Sequence, residues 1–261
     1  MSTSDADGAD NLEEAMSRAI GKVHGLRKSI LEAPVVEGHS WFQNILVGIL
    51  NCALLDHKSV ETGIHESVPL AAWGLRNLLE LRVITEYVLA SEKNANDFKN
   101  DLMIDAKELY EAFSKSHQAS HAKLIVALSE MAEQAEGTMK EVLAEALRQE
   151  SARGPQTTDT DSEAEAYKKL MVDFGLRDNA KPKKASEIAR QMSQNENFDP
   201  KFKICSKIMH RTVLSIASST IPGSLDEASR FLSLSADGEL LSIYGAISNY
   251  VEERGVRPPE N

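Results

Sequence analysis

Two segments of this chain, residues 68–91 and 199–218, repeat apolar residues at the spacing of an α-helix while carrying ionisable residues one turn apart. The first segment contains Arg76 and Glu80, and the second contains Ser206 and His210. Burying a charge is costly unless the charge is paired or used, so these side chains are candidates for a functional site. The same periodicity constrains the fold, because it predicts long, largely buried helices.

Helical periodicity continues along the rest of the chain, without a convincing β-strand alternation. We therefore predict an all-α fold, a multi-helix bundle with a long helical hairpin arm. A single domain is predicted over residues 10–254, which is long enough to bury a core without disulfides. We expect disorder in the acidic residues 1–9 and in the tail 255–261, and a flexible loop in the Gly-, Pro- and Thr-rich residues 151–162.

Capping residues predict where the helices of the bundle begin. Asp10 caps the first helix, and Ser40 caps a second helix over residues 41–57. Gly48 would let a neighbouring helix approach the second helix closely. The third helix begins after Ser67, and its core face is predicted to contain Leu70, Trp73, Leu78, Leu81, Ile84 and Val88.

Later helices are predicted from the same signals of start and stop. The arm begins near Asn94 and is expected to break around Ser116 and Gly137. Asp199 and Pro200 supply a cap and a first-turn residue for the helix that contains His210. The other predicted helices cover residues 163–174, residues 186–192 and residues 225–253, the last of them split at Asp237 and Gly238.

Charge and cysteine content exclude several classes of protein. A net charge of −11 argues against a surface coated for nucleic acid, and two distant cysteines form neither a disulfide framework nor a zinc knuckle. His117 and His121 have the spacing of two helical metal ligands, but no third ligand accompanies them. The strongest apolar run, residues 45–55, is interrupted by Asn51 and is too short to span a bilayer. We expect a cytoplasmic protein without a membrane span, a metal or a cofactor.

One stretch of the chain is basic, although the net charge of the whole chain is negative. Residues 181–211 contain eight basic and three acidic residues, and His210 lies among them. Two alternatives are open. The basic residues either form a solvated face that acidic neighbours balance in the fold, or they attract an anionic ligand or RNA.

Arg76 and Glu80 lie about 40° apart on a helical wheel, so their side chains can touch. Arginine before glutamate is the weaker order for stabilising a helix, so local helix support explains the pair poorly. The two residues either satisfy each other inside the bundle, or Glu80 holds the Arg76 guanidinium ready for a phosphate or carboxylate ligand.

Ser206 and His210 lie together on the flank of the apolar stripe in the second segment. Histidine suits the role of a general base, or of a hydrogen-bond donor that binds phosphate, near neutral pH, and Ser206 could orient its ring. Glu80 is a further candidate partner of His210. The structural alternative is a boundary histidine that a neighbouring carbonyl satisfies.

The segments LRNLLELRVITEYVLASEKNANDF, residues 75–98, and NFDPKFKICSKIMHRTVLSI, residues 197–216, resemble a broad group of uncharacterised bacterial all-helical proteins. In that group an Arg-Asn-x-x-Glu helix precedes an Asn-Ala-x-x-Phe turn, and a Ser-Lys-x-x-His helix follows later. The similarity covers residues 40–219 except 151–162, and Arg211 stands where the group has proline or a small residue. The matching residues are Arg76, Asn77, Glu80, Ser206, Lys207 and His210.

More distantly, the arrangement is similar to HEPN domains, four-helix units of bacterial toxins and phage-defence proteins, many of which are metal-independent ribonucleases acting as dimers. This similarity implies a HEPN-like core and a homodimer. It also implies that His210 takes the ribose 2′-hydroxyl proton while Arg76 and Lys207 stabilise phosphate charge. HEPN domains keep the arginine and histidine on one helix, whereas Arg76 lies on a different helix from His210.

Two functional hypotheses follow. The first, which we favour, is a binding or interaction protein with a polar cleft for an anionic ligand, in which Ser206, Lys207 and Asn77 take part in ligand binding. The alternative is a ribonuclease of bacterial stress or phage defence, with His210, Arg76 and Glu80 as its catalytic residues. Both hypotheses expect the segments to converge, so that guanidinium, carboxylate and imidazole share one enclosure.

Overall fold

The computed structural model describes residues 4–35, 39–134, 136–153, 181–210 and 226–259, and five positions between 165 and 172; for residues 4–13 and 138 it describes the backbone alone. All regular structure in these ranges is helical, which confirms the predicted all-α, multi-helix fold. The helices with described bounds are α1 (Ser4–Glu32), α2 (Ser40–Glu66), α3 (Val68–Ala90), α4 (Glu92–Gln134), α5 (Gly137–Arg153), α6 (Ala185–Gln191), α7 (Asn195–Met209) and α8 (Asp226–Arg254).

The chain divides into two compact units. The first unit comprises residues 1–97 and 183–261, and the second comprises residues 98–182. The first unit therefore contains α1 to α3, the first turns of α4, and α6 to α8. The second contains the rest of α4 and α5. The predicted single domain over residues 10–254 stays a prediction.

Helix α3 is central to the first unit, where it packs against α2, α6, α7 and α8. Its fully buried side chains include Leu75, Leu79 and Val83, and each buried leucine of this kind contributes about 1.5–3 kcal/mol. Leu70 and Trp73 are exposed, so their assignment to the core face was wrong. Because α3 is apolar on nearly every side, the periodicity did not determine which side the neighbouring helices cover.

A single extended residue, Ser67, joins α2 to α3. The backbone N–H of Ser67 donates to the Gly63 carbonyl at 2.8 Å, and Pro69 lies in the first turn of α3, so the predicted start of this helix is confirmed. Helix α2, however, begins at Ser40 rather than after it, and extends well beyond His57 to Glu66. This extension is stabilised by tertiary packing, since its last turns bury side chains in the unit.

Close approach of α2 and α3 depends on glycines that the sequence analysis did not single out. A Cβ atom at Gly74 would lie 2.6 Å from the Asp56 carbonyl oxygen, and one at Gly63 would collide with the backbone of Ala71. A Cβ atom at Gly48 would meet nothing within 4 Å. The prediction that Gly48 allows the close approach was therefore wrong, and Gly63 and Gly74 do so instead.

Helix α1 begins at Ser4, before the predicted cap at Asp10, and thus includes residues 4–9, for which composition predicted disorder. Once a helix is nucleated, each further residue adds one hydrogen bond, so a stable helix can extend through polar sequence. At its other end, Gln43 of α2 donates to the carbonyls of Ile30 and Ala33 at 2.6 and 3.3 Å. These bonds cap carbonyl groups at the C-terminal end of α1 and tie that end to α2.

The predicted hairpin arm corresponds to α4 and α5. Helix α4 runs without interruption through Ser116, so the predicted break there was wrong; serine alone weakens a helix by only a few tenths of a kcal/mol. The second predicted break is confirmed, because α4 ends at Gln134 and α5 begins at Gly137, which adopts a φ of +58°. Within the second unit, the His121 Nε2 atom lies 3.1 Å from the Glu150 carbonyl oxygen, which brings α5 alongside α4.

The helix predicted over residues 199–218 begins earlier in the structure than the sequence predicted. Helix α7 begins at Asn195, so Asp199 and Pro200 lie inside it rather than at its cap. The described part of this helix ends at Met209, with His210 as its C-cap, and residues 211–218 lie outside the described residues.

Helix α8 and the residues after it also depart from prediction. The helix continues through Gly238 from Asp226 to Arg254, so the predicted split was wrong. Beyond it, the Tyr250 hydroxyl donates to the Arg257 carbonyl at 2.6 Å, and Pro259 is buried. The first residues of the predicted disordered tail are therefore held against α8.

The structure describes one of the remaining predicted segments fully and two others in part. Helix α6 agrees with the prediction for residues 186–192 to within one residue at each end. The predicted loop 151–162 overlaps the end of α5 at Arg153 and otherwise lies outside the described residues, as does most of the segment 163–174. Among the described helices, none combines the length and the apolar character needed to cross a membrane.

Candidate functional site

Arg76 extends from α3 to α7. Its guanidinium carbon lies 4.5 Å from the centre of the Phe202 ring, and its Nε atom donates to Glu80 Oε1 at 3.2 Å. The side chains of Arg76 and Glu80 are 30% and 33% exposed, so the pair lies at the edge of the α3–α7 contact. Stacking on the Phe202 ring is a cation–π interaction that contributes about 0.5–1 kcal/mol at such a site. The two segments thus meet here, through Phe202.

A second carboxylate accompanies this pair. Asn77 donates to Asp56 Oδ1 at 3.0 Å and so links α3 to α2. Burial raises the pKa of Asp56 above its usual value, and the nearby charge of Glu80 raises it further, although the hydrogen bond from Asn77 lowers it. With both carboxylates ionised, the cluster of Arg76, Glu80 and Asp56 has a negative formal charge. Its electrostatic field therefore does not favour the binding of an anionic ligand at Arg76.

Neither cysteine of the chain has the environment of a nucleophile. Burial raises the pKa of Cys205 to about 12, although the charges of Arg76 and Lys201 act in the opposite direction. Burial and the charge of Asp56 also raise the pKa of Cys52. Since the thiolate is the reactive form, both thiols are mainly protonated at neutral pH and neither is an activated nucleophile.

His210 caps the C-terminus of α7, where its backbone N–H donates to the Ser206 carbonyl at 3.2 Å. The side chains of His210 and Lys207 are exposed, whereas Ser206 is half-buried. His210 follows Phe202 by roughly two helical turns, or about 12 Å along the axis. The structure therefore places Arg76 and Glu80 against the middle of α7, and His210 at the end of that helix.

A triad of ionised side chains joins α3, α7 and α8, and the sequence analysis missed it. Glu239 of α8 is only 5% exposed, and Lys201 of α7 donates to its Oε1 atom at 2.6 Å. The Nε atom of Arg82 lies 2.6 Å from Glu239 Oε2, an ion pair without hydrogen-bond geometry. Arg82 also donates to Glu86 at 3.1 Å. One buried carboxylate thus holds two cations from two other helices.

The triad borders an open cleft of about 470 Å³. Asn197 of α7 and Ser235 of α8 also line the cleft, with the ring of Phe231 as an apolar wall. Its lining contains the two cations of the triad and a single carboxylate, so its formal charge is positive. The Lys201 side chain is 34% exposed and uses one donor on Glu239. The cleft lining thus has one more cation than carboxylate, whereas the Arg76 cluster has one more carboxylate than cation.

One sequence signal did point to the triad. Glu239 lies at helical spacing from Leu232, Ala236, Ile243 and Ile247, all of which are buried in α8. A charged residue in such an apolar stripe indicates a buried ion pair. The identity of its partners does not follow from the sequence, because Arg82 and Lys201 come from distant parts of the chain.

Part of the basic stretch is balanced by acidic neighbours, as one of the two alternatives predicted. Lys183 donates to Asp97 Oδ2 at 2.9 Å and also to the Tyr87 hydroxyl, while Lys93 donates to the same carboxylate at 2.7 Å. Burial by itself would raise the pKa of Asp97, but these hydrogen bonds from Lys93 and Lys183, with one from Tyr87, lower it below its usual value. Lys201 likewise forms an ion pair with Glu239.

A second buried polar link connects α2 to α8. The His57 side chain is nearly fully buried, with its Nε2 atom 2.8 Å from Asp237 Oδ1 and its Nδ1 atom 3.6 Å from Glu61 Oε1. Asp237 therefore belongs to a helix-helix contact and does not end α8. Among the described residues, no group of three or more His, Cys, Asp or Glu side chains is arranged to hold a metal ion.

No protein-family model, curated protein or solved structure matches this chain. The geometry of these clusters is therefore the basis on which a function can be proposed.

Proposed function

We propose that this protein is a non-catalytic helical binding protein whose cleft beside Lys201 holds the anionic group of a ligand. The observation that carries the proposal is the positive formal charge of the cleft lining together with the partial exposure of the Lys201 ammonium group. An exposed lysine alone would be a weak signal. Here the buried Glu239 carboxylate anchors it at 2.6 Å, so the cation is held in position before any ligand binds.

The chemistry of the lining supports an anionic group with a polar or partly apolar body. Lysine has three N–H donors, and the Asn197 amide and Ser235 hydroxyl add further hydrogen-bonding capacity. Phe231 offers an apolar surface against which the rest of a ligand can pack. A few polar groups in a partly apolar cleft are typical of small-molecule sites. The cleft volume of about 470 Å³ lies in the range of such sites.

The experiment is a thermal-shift titration with inorganic phosphate and citrate as probes. We expect either anion to raise the melting temperature of the wild-type protein, because a ligand that binds only the folded state stabilises it. Lys201→Gln should abolish the shift. Lys203→Gln is the matched control, since Lys203 is an exposed lysine on α7 outside the cleft lining. Equal shifts in the two variants would refute the proposal.

The ribonuclease alternative is a separate hypothesis with its own test. It requires a cation that is available to stabilise phosphate charge. Arg76 is engaged by Glu80 and the Phe202 ring, and this favours the non-catalytic proposal. Incubation with mixed RNA in EDTA decides between the two. Cleavage that His210→Ala abolishes would overturn the non-catalytic proposal.

A cytoplasmic location belongs to the same proposal. It is supported by the two cysteines, Cys52 and Cys205, both of which are free thiols. The bacterial origin, the HEPN-like core and self-association remain predictions from the resemblance. Analytical ultracentrifugation would test self-association directly, with a monomeric sedimentation coefficient over the micromolar range as the contrary result.

A further inference from the structure

A second cavity, of about 510 Å³, lies between α1 and α2, on residues that no functional prediction used. Ile20, His24 and Arg27 line it from α1, where their spacing of four and three residues places them on one helix face. The lining from α2 includes Asn51 and Leu54. The cavity is therefore formed by two facing helical surfaces of the first unit.

The chemistry of this cavity is divided between apolar walls and cationic groups. Ile20, Leu54 and Leu55 provide the apolar part, whereas Arg27 and Lys58 carry positive charge. Glu61 is the one carboxylate of the lining, and its Oε1 atom already lies 3.6 Å from His57 Nδ1. A ligand that fits this arrangement combines an apolar body with one acidic group.

Arg27 supplies a cation that is held in place at this cavity. One of its terminal nitrogens donates to Asn51 Oδ1 at 2.9 Å, which holds the guanidinium against α2. Its Nε atom is buried and has no hydrogen-bond partner among the described residues. The Nε atom is closed to solvent, so an acidic group in the cavity would accept from the terminal nitrogens of the guanidinium instead, in a charge-assisted hydrogen bond.

We propose that the cavity between α1 and α2 binds a small amphipathic acid, with its acidic group on Arg27 and its apolar body against Ile20, Leu54 and Leu55. The cavity volume of about 510 Å³ lies in the range of small-molecule sites. It therefore accommodates a compact organic acid rather than a peptide or a nucleic acid. The single apolar patch also favours such an acid over inorganic phosphate, which would leave the walls uncovered.

The probe for this site is 8-anilinonaphthalene-1-sulfonate, an amphipathic anion whose fluorescence rises in apolar surroundings. We expect saturable binding to the wild-type protein, and a dissociation constant at least about tenfold higher for Arg27→Gln, because a charged hydrogen bond is lost. Arg18→Gln is the matched control, since Arg18 is an exposed α1 arginine paired with Glu14. An equal loss in the two variants would overturn the proposal.

Two further measurements test the site independently of any effect of Arg27→Gln on the fold. Decanoate should displace the probe from the wild-type protein at a concentration at least about tenfold lower than decanol, because only decanoate offers an acidic group. Leu54→Trp, which fills the cavity without removing a charge, should prevent probe binding. Displacement by decanol as effective as by decanoate, or unchanged binding to Leu54→Trp, would contradict the assignment. Lys201→Gln should leave probe binding unchanged, which separates this site from the cleft.

Discussion

Removing the charge of Glu239 tests the buried triad most directly. Glu239→Gln retains the shape of the side chain but leaves Arg82, which is only 14% exposed, beside a neutral amide. Breaking a buried ion pair by removing one partner costs about 3–5 kcal/mol. We expect the lower end, about 3 kcal/mol, because Arg82 retains its bond to Glu86 and Lys201 can turn toward water.

The assay is urea unfolding followed by tryptophan fluorescence. The chain has two tryptophans, Trp41 on α2 and Trp73 on α3, so the signal reports only on the unit that contains the triad. A loss of about 3 kcal/mol corresponds to a fall in melting temperature of roughly 6–12 °C for a protein of this size class.

The matched control is Glu86→Gln, which removes the other carboxylate bound to Arg82. Glu86 is 30% exposed and pairs with Arg82 within one helix, and such pairs contribute at most about 1 kcal/mol. If Glu239→Gln and Glu86→Gln destabilise the unit equally, the argument that burial makes the Glu239 pair costly to break is refuted. A double-mutant cycle with Arg82→Met would then show how much the two charges interact.

Three other predictions follow from packing and electrostatics. Gly74→Ala should destabilise the first unit by about 1–3 kcal/mol, since the added Cβ would collide with α2. Gly48→Ala should be neutral or stabilising by up to about 1 kcal/mol. Equal urea midpoints for the two variants would contradict this prediction. Asp97 has a lowered pKa in the folded state, so the stability it contributes should be present above about pH 4 and be lost at more acidic pH. The stability difference between wild type and Asp97→Asn should shrink there, and a constant difference would be the contrary result. Iodoacetamide at pH 7.5 should leave Cys205 unmodified until urea unfolds the chain, and rapid labelling of the native protein, seen by mass spectrometry, would be inconsistent with its burial.

Local signals predicted the helical class and several helix boundaries. Ser67 with Pro69 determined where α3 begins, and Gly137 determined where α5 begins, because both boundaries depend on the conformational preferences of those residues. The contact between Arg76 and Glu80 also followed from spacing within one helix. These features involve residues close together in the chain, where helix geometry fixes the distances.

The site was predictable only in part, because its main interactions join distant residues. Spacing in the sequence identified Arg76, Glu80, Ser206 and His210, but it could not say that the Phe202 ring covers Arg76. It also gave no means of pairing Glu239 with two cations on other helices. Both contacts depend on the way the helices cross.

The amino-acid sequence was sufficient to predict the helical class of this protein, the helix starts at Ser67 and Gly137, and the presence of charge inside apolar helices. Tertiary structure alone decided which face of α3 is buried, that α2 continues to Glu66, and that Lys201 is held at the edge of a cleft. The physical reason is that helix formation is governed by neighbours within about one turn. The choice of buried face and ion-pair partner depends on side chains that only the packed fold brings together.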